Sequence, residues 1–439
     1  MRLQKTALFV CFAASLVPCR ATAQQGEPQI TDRQRDDARQ MLDVISEDIK
    51  NQYYDPKLHG IDWAANVKTY RQKIDTAPTL NYALSEVAAA MDVLHDSHTF
   101  FLPPPRPYVH SFGWQIGMVG DNCLIFAVRL GSDAEKNGLK PGDQILTVNG
   151  FTPTRNNLWK MNFVFTTLRP QLGLAVVVAS PNGEHKEVQV AASMRRTQEV
   201  RDLTGSGIFD VLRDIENQIH DDRMRWVEIE DVMVLKFPLF AYSESEVDNV
   251  MKKARKRSGL VIDLRGNGGG SVETLRAFLG NFFDHDVKIA DRVARNKTKA
   301  INAHSEGKHA FQNKLVIITD SRSGSASELL ARVVQIEKRG LVVGDRSAGA
   351  VMEAKHNQYK IGTDTILVYG ASITDADLIM TDGKSLEHIG VTPDEVLLPT
   401  GADLAAGRDP VLARAVELAG GKISPEAADK LFPIQWPKN

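Results

Sequence analysis

Gly259-Leu260-Val261-Ile262-Asp263-Leu264-Arg265-Gly266-Asn267-Gly268-Gly269-Gly270-Ser271 is the stretch that decides the fold. Its first six residues are almost all apolar, as in a strand buried on both faces. From 266 to 270 the chain carries no side chain except that of Asn267, and Ser271 then opens a helix. Such a junction lets backbone N–H groups approach a ligand closely and converge on one oxygen. It lacks the terminal Gly-Lys-Ser/Thr of a P-loop and the Gly-x-Gly-x-x-Gly order of a dinucleotide site. An oxyanion hole fits it better than a phosphate cradle.

The pattern repeats on either side. Val232 to Phe237 is a strand and Ser245 to Lys256 a helix. Lys314 to Thr319 is a second buried strand whose loop leads to a helix at Ser327, and Leu341-Val342-Val343-Gly344 is a third. Strands alternating with helices imply an α/β core with a largely parallel sheet, covered on both faces. We place this core at 201–405, followed by a C-terminal helical tail at 406–439.

The loop Ser321-Arg322-Ser323-Gly324-Ser325-Ala326-Ser327-Glu328 stands where a strand becomes a helix. A serine there is exposed above the sheet, and the helix N-terminus favours developing negative charge. The same segment also reads as a serine-rich N-cap, with Ser325 or Ser327 satisfying the first N–H groups and Glu328 completing the cap.

Upstream of the core the character changes twice. Ala38, Met41, Leu42, Ile45 and Ile49 recur near a helical period, Asp62-Trp63 opens a second helix, and Thr79 is the N-cap of a third over Tyr82 to Leu94. This gives an N-terminal helical bundle over 24–104, ended by Pro103-Pro104-Pro105. In 105–200, Trp114 to Met118, Cys123 to Val128 and Gln144 to Val148 read as strands around a short helix, Ser132 to Leu139. The succession Ala134, Gly138-Leu139, Gly142-Asp143-Gln144-Ile145-Leu146, Asn149-Gly150 resembles a PDZ domain of the circularly permuted kind found in bacterial proteases. PDZ domains bind an extended peptide as an added strand. The resemblance makes Ile116, Gly117 and Met118 the substrate-binding edge.

The chain has 439 residues and a formal net charge of -2, with 43% hydrophobic and 25% charged residues. That suits a soluble protein of several domains and gives no electrostatic footprint for nucleic acid. Residues 1–23 read as a secretory signal peptide: two positive charges before residue 6, an apolar run to Val17, and Ala21-Thr22-Ala23 before the cleavage point. The mature protein is therefore expected outside the cytoplasm, periplasmic or extracellular, with no stable membrane insertion. Of Cys11, Cys19 and Cys123 only the last remains after cleavage, as a small apolar strand residue. No Cys/His cluster has zinc spacing, so neither metal nor cofactor is expected, and nothing specifies an oligomeric state.

Asp263 to Gly270, then Gly324-Ser325-Ala326-Ser327-Glu328, then Val342-Val343-Gly344-Asp345 resemble, in this order, the C-terminal processing peptidases and the tricorn-type core proteases. The resemblance runs from about residue 35 to 400. It implies a crotonase/ClpP-like catalytic domain with Ser325 as nucleophile and the N–H groups of Ala326 and Gly269 as oxyanion hole. Processing peptidases use a serine–lysine dyad. Here Ala350 of Ser347-Ala348-Gly349-Ala350-Val351 stands in the lysine's place, and Lys355 lies five residues on. Tricorn-type enzymes instead use a Ser-His pair and a distant glutamate. Leu94-His95-Asp96-Ser97-His98-Thr99 and Leu386-Glu387-His388-Ile389-Gly390 match those elements. The resemblance thus assigns His98 as general base, oriented by Ser97, with Glu387 holding Ser97; His95 and His388 are the competing histidines.

The implied activity is that of an exported serine endopeptidase acting on polypeptides through an acyl-enzyme at Ser325. Two other readings stand beside it: a catalytically inactive peptide- or small-ligand-binding protein of the same fold, and an esterase or amidase.

Overall fold

The computed structural model describes residues 27–196, 223–362, 366–434 and 436. The signal-peptide assignment lies outside the described residues.

Three helices come first: α1 (Asp32–Gln52), α2 (Trp63–Asp75) and α3 (Leu80–Asp92). The Thr31 hydroxyl accepts the Gln34 N–H at the start of α1, and Gln34 reaches back to the Thr31 N–H, a capping box. Thr79 caps α3, which begins at Leu80 rather than Tyr82. The chain then leaves the helices through 93–99 and enters the short strand β1 (Phe100–Leu102).

The next unit is antiparallel. β2 (Tyr108–Ser111) pairs with the later β8 (Ser193–Arg196), while β3 (Trp114–Val119), β4 (Asn122–Val128), β5 (Gln144–Val148), β6 (Gly173–Ala179) and β7 (His185–Ala191) form a sheet in that order. Helices α4 (Asp133–Lys136) and α5 (Leu158–Phe163) lie in its connections. Cys123 is buried on β4, and burial pushes its thiol up to about 12, so it has no thiolate chemistry at neutral pH.

The core begins with β9 (Arg225–Ile229), β10 (Val232–Lys236), α6 (Glu244–Ala254), β11 (Gly259–Asp263) and α7 (Val272–Gly280). A hairpin of β12 (Val287–Ala294) and β13 (Lys297–Ala303) follows, then β14 (Lys314–Thr319), α8 (Ala326–Ile336) and β15 (Leu341–Gly344). β16 (Met352–Ile361), β17 (Leu367–Met380) and β18 (Glu395–Val396) complete the strands. The main sheet runs β18-β15-β14-β11-β10-β9, parallel throughout except for the β10–β9 pair. Its residues alternate between two layers, as a strand's period of two requires. Met233, Leu235, Leu260, Ile262, Leu315 and Ile317 pack against α6, α7 and α8. Val232, Val234, Val261, Val316, Ile318 and Val343 pack on the other side.

Two features differ from the sequence reading. The segment beyond 406 is not a separate tail: its helix Pro410–Ala419 buries Val411, Leu412, Ala415 and Val416 against that second face. Asp409, at its N-cap, pairs with Arg265 at 2.7 Å. There is also a second sheet in the core. β17 pairs with β16 along one edge, and with β1 and β12 in succession along the other. β1 therefore carries the end of the helical region directly into the core.

Candidate active site

The nucleophile candidate sits at the turn between β14 and α8. Ser325 has φ 51° and ψ −116°, a left-handed conformation unusual for a residue with a side chain. Ser325 N–H donates to Ala350 O at 2.8 Å and to Glu328 Oε2 at 3.0 Å. Glu328 is fully buried and also accepts Ser347 Oγ–H, Gly349 N–H and Ala350 N–H at 2.6–2.9 Å. Burial pushes its carboxyl up to about 7 against those donors. Glu328 thus ties the 347–350 loop to the serine turn, beyond the capping role read from sequence.

The other serines of this loop have structural partners. Ser323 Oγ donates to Leu264 O at 2.8 Å and Ser327 Oγ to Asn267 O at 2.9 Å. Ser325 Oγ donates to no acceptor among the described residues; its contact is as N-cap of α8 with the Glu328 N–H, and the residue is half-buried. The geometry therefore singles out Ser325 from Ser323 and Ser327.

The glycine run lies against this turn. Gly324 N–H donates to Asn267 O, and a Cβ on Gly269 would fall 2.6 Å from Ser325 Cβ and 3.0 Å from Ala326 N. Only a glycine tolerates that approach together with its φ of 106°. One expectation is corrected here. The Gly269 N–H donates to Asn267 Oδ1 at 2.9 Å, so it is not available to an oxyanion. The N–H groups of Ala326, Gly268 and Gly270 have no partner among the described residues.

Ser97, His98 and Glu387 come together from two ends of the chain. Ser97 Oγ lies 2.7 Å from His98 Nδ1 and 2.9 Å from Glu387 Oε2, and Ser97 N–H reaches Glu387 Oε1 at 2.7 Å. Glu387 Oε2 also accepts Val351 N–H at 2.8 Å, one residue beyond Ala350. Burial pushes the Glu387 carboxyl upward against these donors. Asp96 clamps the segment. Its Oδ1 accepts His98 N–H, Thr99 N–H and Thr374 Oγ1–H at 2.6–2.9 Å, and its Oδ2 accepts the Tyr53 hydroxyl at 2.8 Å. Tyr53, Thr374 and the wider role of Glu328 had no sequence signal, because each acts through a partner remote along the chain.

A serine hydroxyl has one hydrogen. Given to the carboxylate of Glu387, it leaves Ser97 Oγ to accept from His98 Nδ1–H, so the lone pair of neutral His98 sits on Nε2. Burial lowers the His98 pKa to about 4, partly opposed by Asp96. His98 Nε2 has no partner among the described residues, and no hydrogen bond joins it to Ser325. Of the competing groups, His388 Nε2 lies 2.7 Å from His95 O. Lys355 is exposed on β16, on the strand face that carries Asn357 and Tyr359 toward α1.

Ile116, Gly117 and Met118 lie on β3, an edge strand as expected. That edge is not free along its length. Ser321 Oγ, four residues before the candidate nucleophile, donates to Met118 O at 2.6 Å. Arg155 crosses the same boundary, bonding Gly120 O, Arg346 O and Asp345 at 2.5–2.9 Å.

Among curated proteins the chain is 23% identical over 414 residues to the putative tricorn protease homolog 2 of Streptomyces coelicolor, covering 87% of this chain and 32% of that one. It is 25% identical over 294 residues to the carboxy-terminal processing protease CtpB of Bacillus subtilis, covering 64% of this chain and 56% of the relative. The chain thus spans between a third and about half of the length of these relatives. Mature CPAF, solved in complex with lactacystin, has a like fold, with a TM-score of 0.63 at 14% identity over 85% of this chain and 96% of that one. The photosystem II D1 C-terminal processing protease gives 0.53 at 18% identity over 92% and 100%. Residues 34–91 match the Tricorn protease C1 domain and residues 231–397 match peptidase family S41, so this chain carries an S41 peptidase domain joined to a tricorn-type helical one.

Proposed function

We propose that the chain is an exported serine endopeptidase in which Ser325 attacks the peptide carbonyl and His98 Nε2 takes its proton. The observation that carries this reading is the hydrogen-bonded unit of Glu387, Ser97 and His98, which fixes the imidazole as a neutral base with its lone pair on Nε2. The imidazolium formed on proton transfer keeps its Nδ1–H on Ser97, next to the charge of Glu387. The Ala326 N–H and a free N–H of the glycine run, from Gly268 or Gly270, receive the oxyanion. Ala350 in the place of a dyad lysine leaves this histidine as the base.

The substrates are polypeptides, and the PDZ-like unit at 105–200 binds their tails along β3. Because Ser97-His98 leaves the helical region and Ser325 the main sheet, closure of the Nε2–Oγ contact accompanies substrate binding. Cleavage of the segment before Gln24 delivers the protein to the periplasm or the exterior. A fluorophosphonate probe tests the reading: it labels the mature protein, and Ser325→Ala abolishes labelling. Undiminished labelling of that variant places the nucleophile elsewhere and overturns it.

A further inference from the structure

Two buried polar atoms without partners among the described residues lie side by side in the second core sheet: His356 Nδ1 and Ser372 Oγ. The two residues are direct cross-strand partners on β16 and β17, and Ser372 is paired in turn with Phe100 on β1. Paired residues of adjacent strands project from the same face, so Phe100, Ser372 and His356 form one row. Phe100 is two residues beyond His98, and the two imidazoles are close enough for charge on His356 to disfavour protonation of His98. This face is opposite to the one that carries Asn357 to Gln52 and Tyr359 to Asp48 on α1. Phe100 meets Trp159 of α5 edge-on at 5.6 Å, and Trp159 stacks on Phe163 at 5.1 Å.

His356 is half-buried, and its Nε2 is neither enclosed nor partnered among the described residues. A buried nitrogen without a partner is costly, which calls for a role. Of the two ring nitrogens only Nε2 is open to an acceptor, so the hydrogen of the neutral ring sits on Nε2 and makes that atom a donor. Burial keeps the ring neutral, which suits a carbonyl acceptor.

We propose that His356 is a substrate-contacting residue beside the Ser97-His98 segment: its Nε2–H donates to a backbone carbonyl oxygen of the bound polypeptide, Phe100 and Trp159 receive an apolar side chain of that polypeptide, and Ser372 is the positioning residue behind the ring. The proposal rests on the peptidase reading above.

The test uses the mature chain with fluorescent unfolded casein as the polypeptide. His356→Ala is expected to lower kcat/KM about tenfold, through KM, the loss of one hydrogen bond. Its fluorophosphonate labelling rate stays at the wild-type value, since the probe has no peptide carbonyl at that position. His356→Gln, which keeps an N–H near Nε2, recovers most of the loss, and Ser372→Ala loses about threefold. Unchanged kcat/KM in His356→Ala overturns the proposal. So does a parallel fall in labelling, which would make His356 a support of the nucleophile or the fold. Casein binding to the Ser325→Ala protein, measured by anisotropy, separates the two readings. If wild type neither cleaves nor labels, the peptidase reading fails, while a tenfold weaker binding on adding His356→Ala still upholds the subsite and unchanged binding removes it.

Discussion

Ser97 gives its backbone N–H to one oxygen of the Glu387 carboxylate and its hydroxyl to the other, at 2.7 and 2.9 Å. This two-point contact joins residues 290 positions apart. With both hydrogens of Ser97 directed at Glu387, only a lone pair of Oγ is left for His98.

The first consequence is that Ser97 and Glu387 act as a unit. Glu387→Gln retains an acceptor oxygen but loses the charge that stabilises the imidazolium, and Ser97→Ala cuts the relay. Each is expected to lower kcat by roughly 10²–10⁴-fold, less than His98→Ala. The double variant should be little worse than either single one. Multiplicative losses in steady-state rates, or a wild-type rate for Glu387→Gln, would show that no relay exists.

The pH profile follows from the burial of His98. Its pKa falls to about 4, below the usual 6.5, because burial disfavours the charged ring. The base form is the neutral one. Activity that depends on it is therefore full well above pH 4 and is lost as pH falls through that value. The acid limb of kcat/KM for a peptide substrate is expected near pH 4. A limb centred at the ordinary histidine value would mean that His98 titrates as a solvated group.

Backbone strain at Ser325 is measurable as stability. Its φ of 51° with ψ −116° lies where a Cβ is disfavoured. Both Ser325→Ala and Ser325→Gly remove the hydroxyl, but only glycine relieves the backbone. The glycine variant is expected to be more stable than the alanine variant by about 1 kcal/mol, read from denaturant midpoints. Equal midpoints would mean the turn carries no strain.

Arg155 joins the antiparallel unit to the core. Its contact with Asp345 is 2.5 Å, between side chains only 14% and 9% exposed. Arg155→Ala leaves Asp345 without its charge partner and is expected to cost about 3 kcal/mol, as a lowered Tm. Asp345→Ala should cost a similar amount, and the double variant less than the sum. Strict additivity would show that the pair does not couple the two units.

The main sheet was legible because each of its central strands is buried on both faces and reads as an apolar run. Gly259 to Leu264, Lys314 to Thr319 and Leu341 to Gly344 all lie where the pattern put them. The second sheet was not legible. β16 carries Glu353, Lys355, His356, Asn357, Gln358 and Lys360; Asn357 bonds Gln52 of α1 and Glu353 pairs with Arg292 of β12, so the strand offers no apolar layer. Without a hydrophobic period, such a strand looks like a loop.

The Ser-His pair and the missing dyad lysine stood out only through the family resemblance. By itself the sequence determined the local parts of the candidate site: a serine at a strand-to-helix turn and a glycine run free of side chains. Each depends on residues adjacent in the chain, whose identities fix backbone freedom and chemistry directly. Only the tertiary structure decided which of these groups meet and which are already engaged. β1 pairing with β17 brings Ser97-His98 to Glu387, and Ser321 occupies the Met118 carbonyl. Those outcomes depend on strand register and on hydrogen-bond competition between segments far apart in sequence, and no local pattern encodes either.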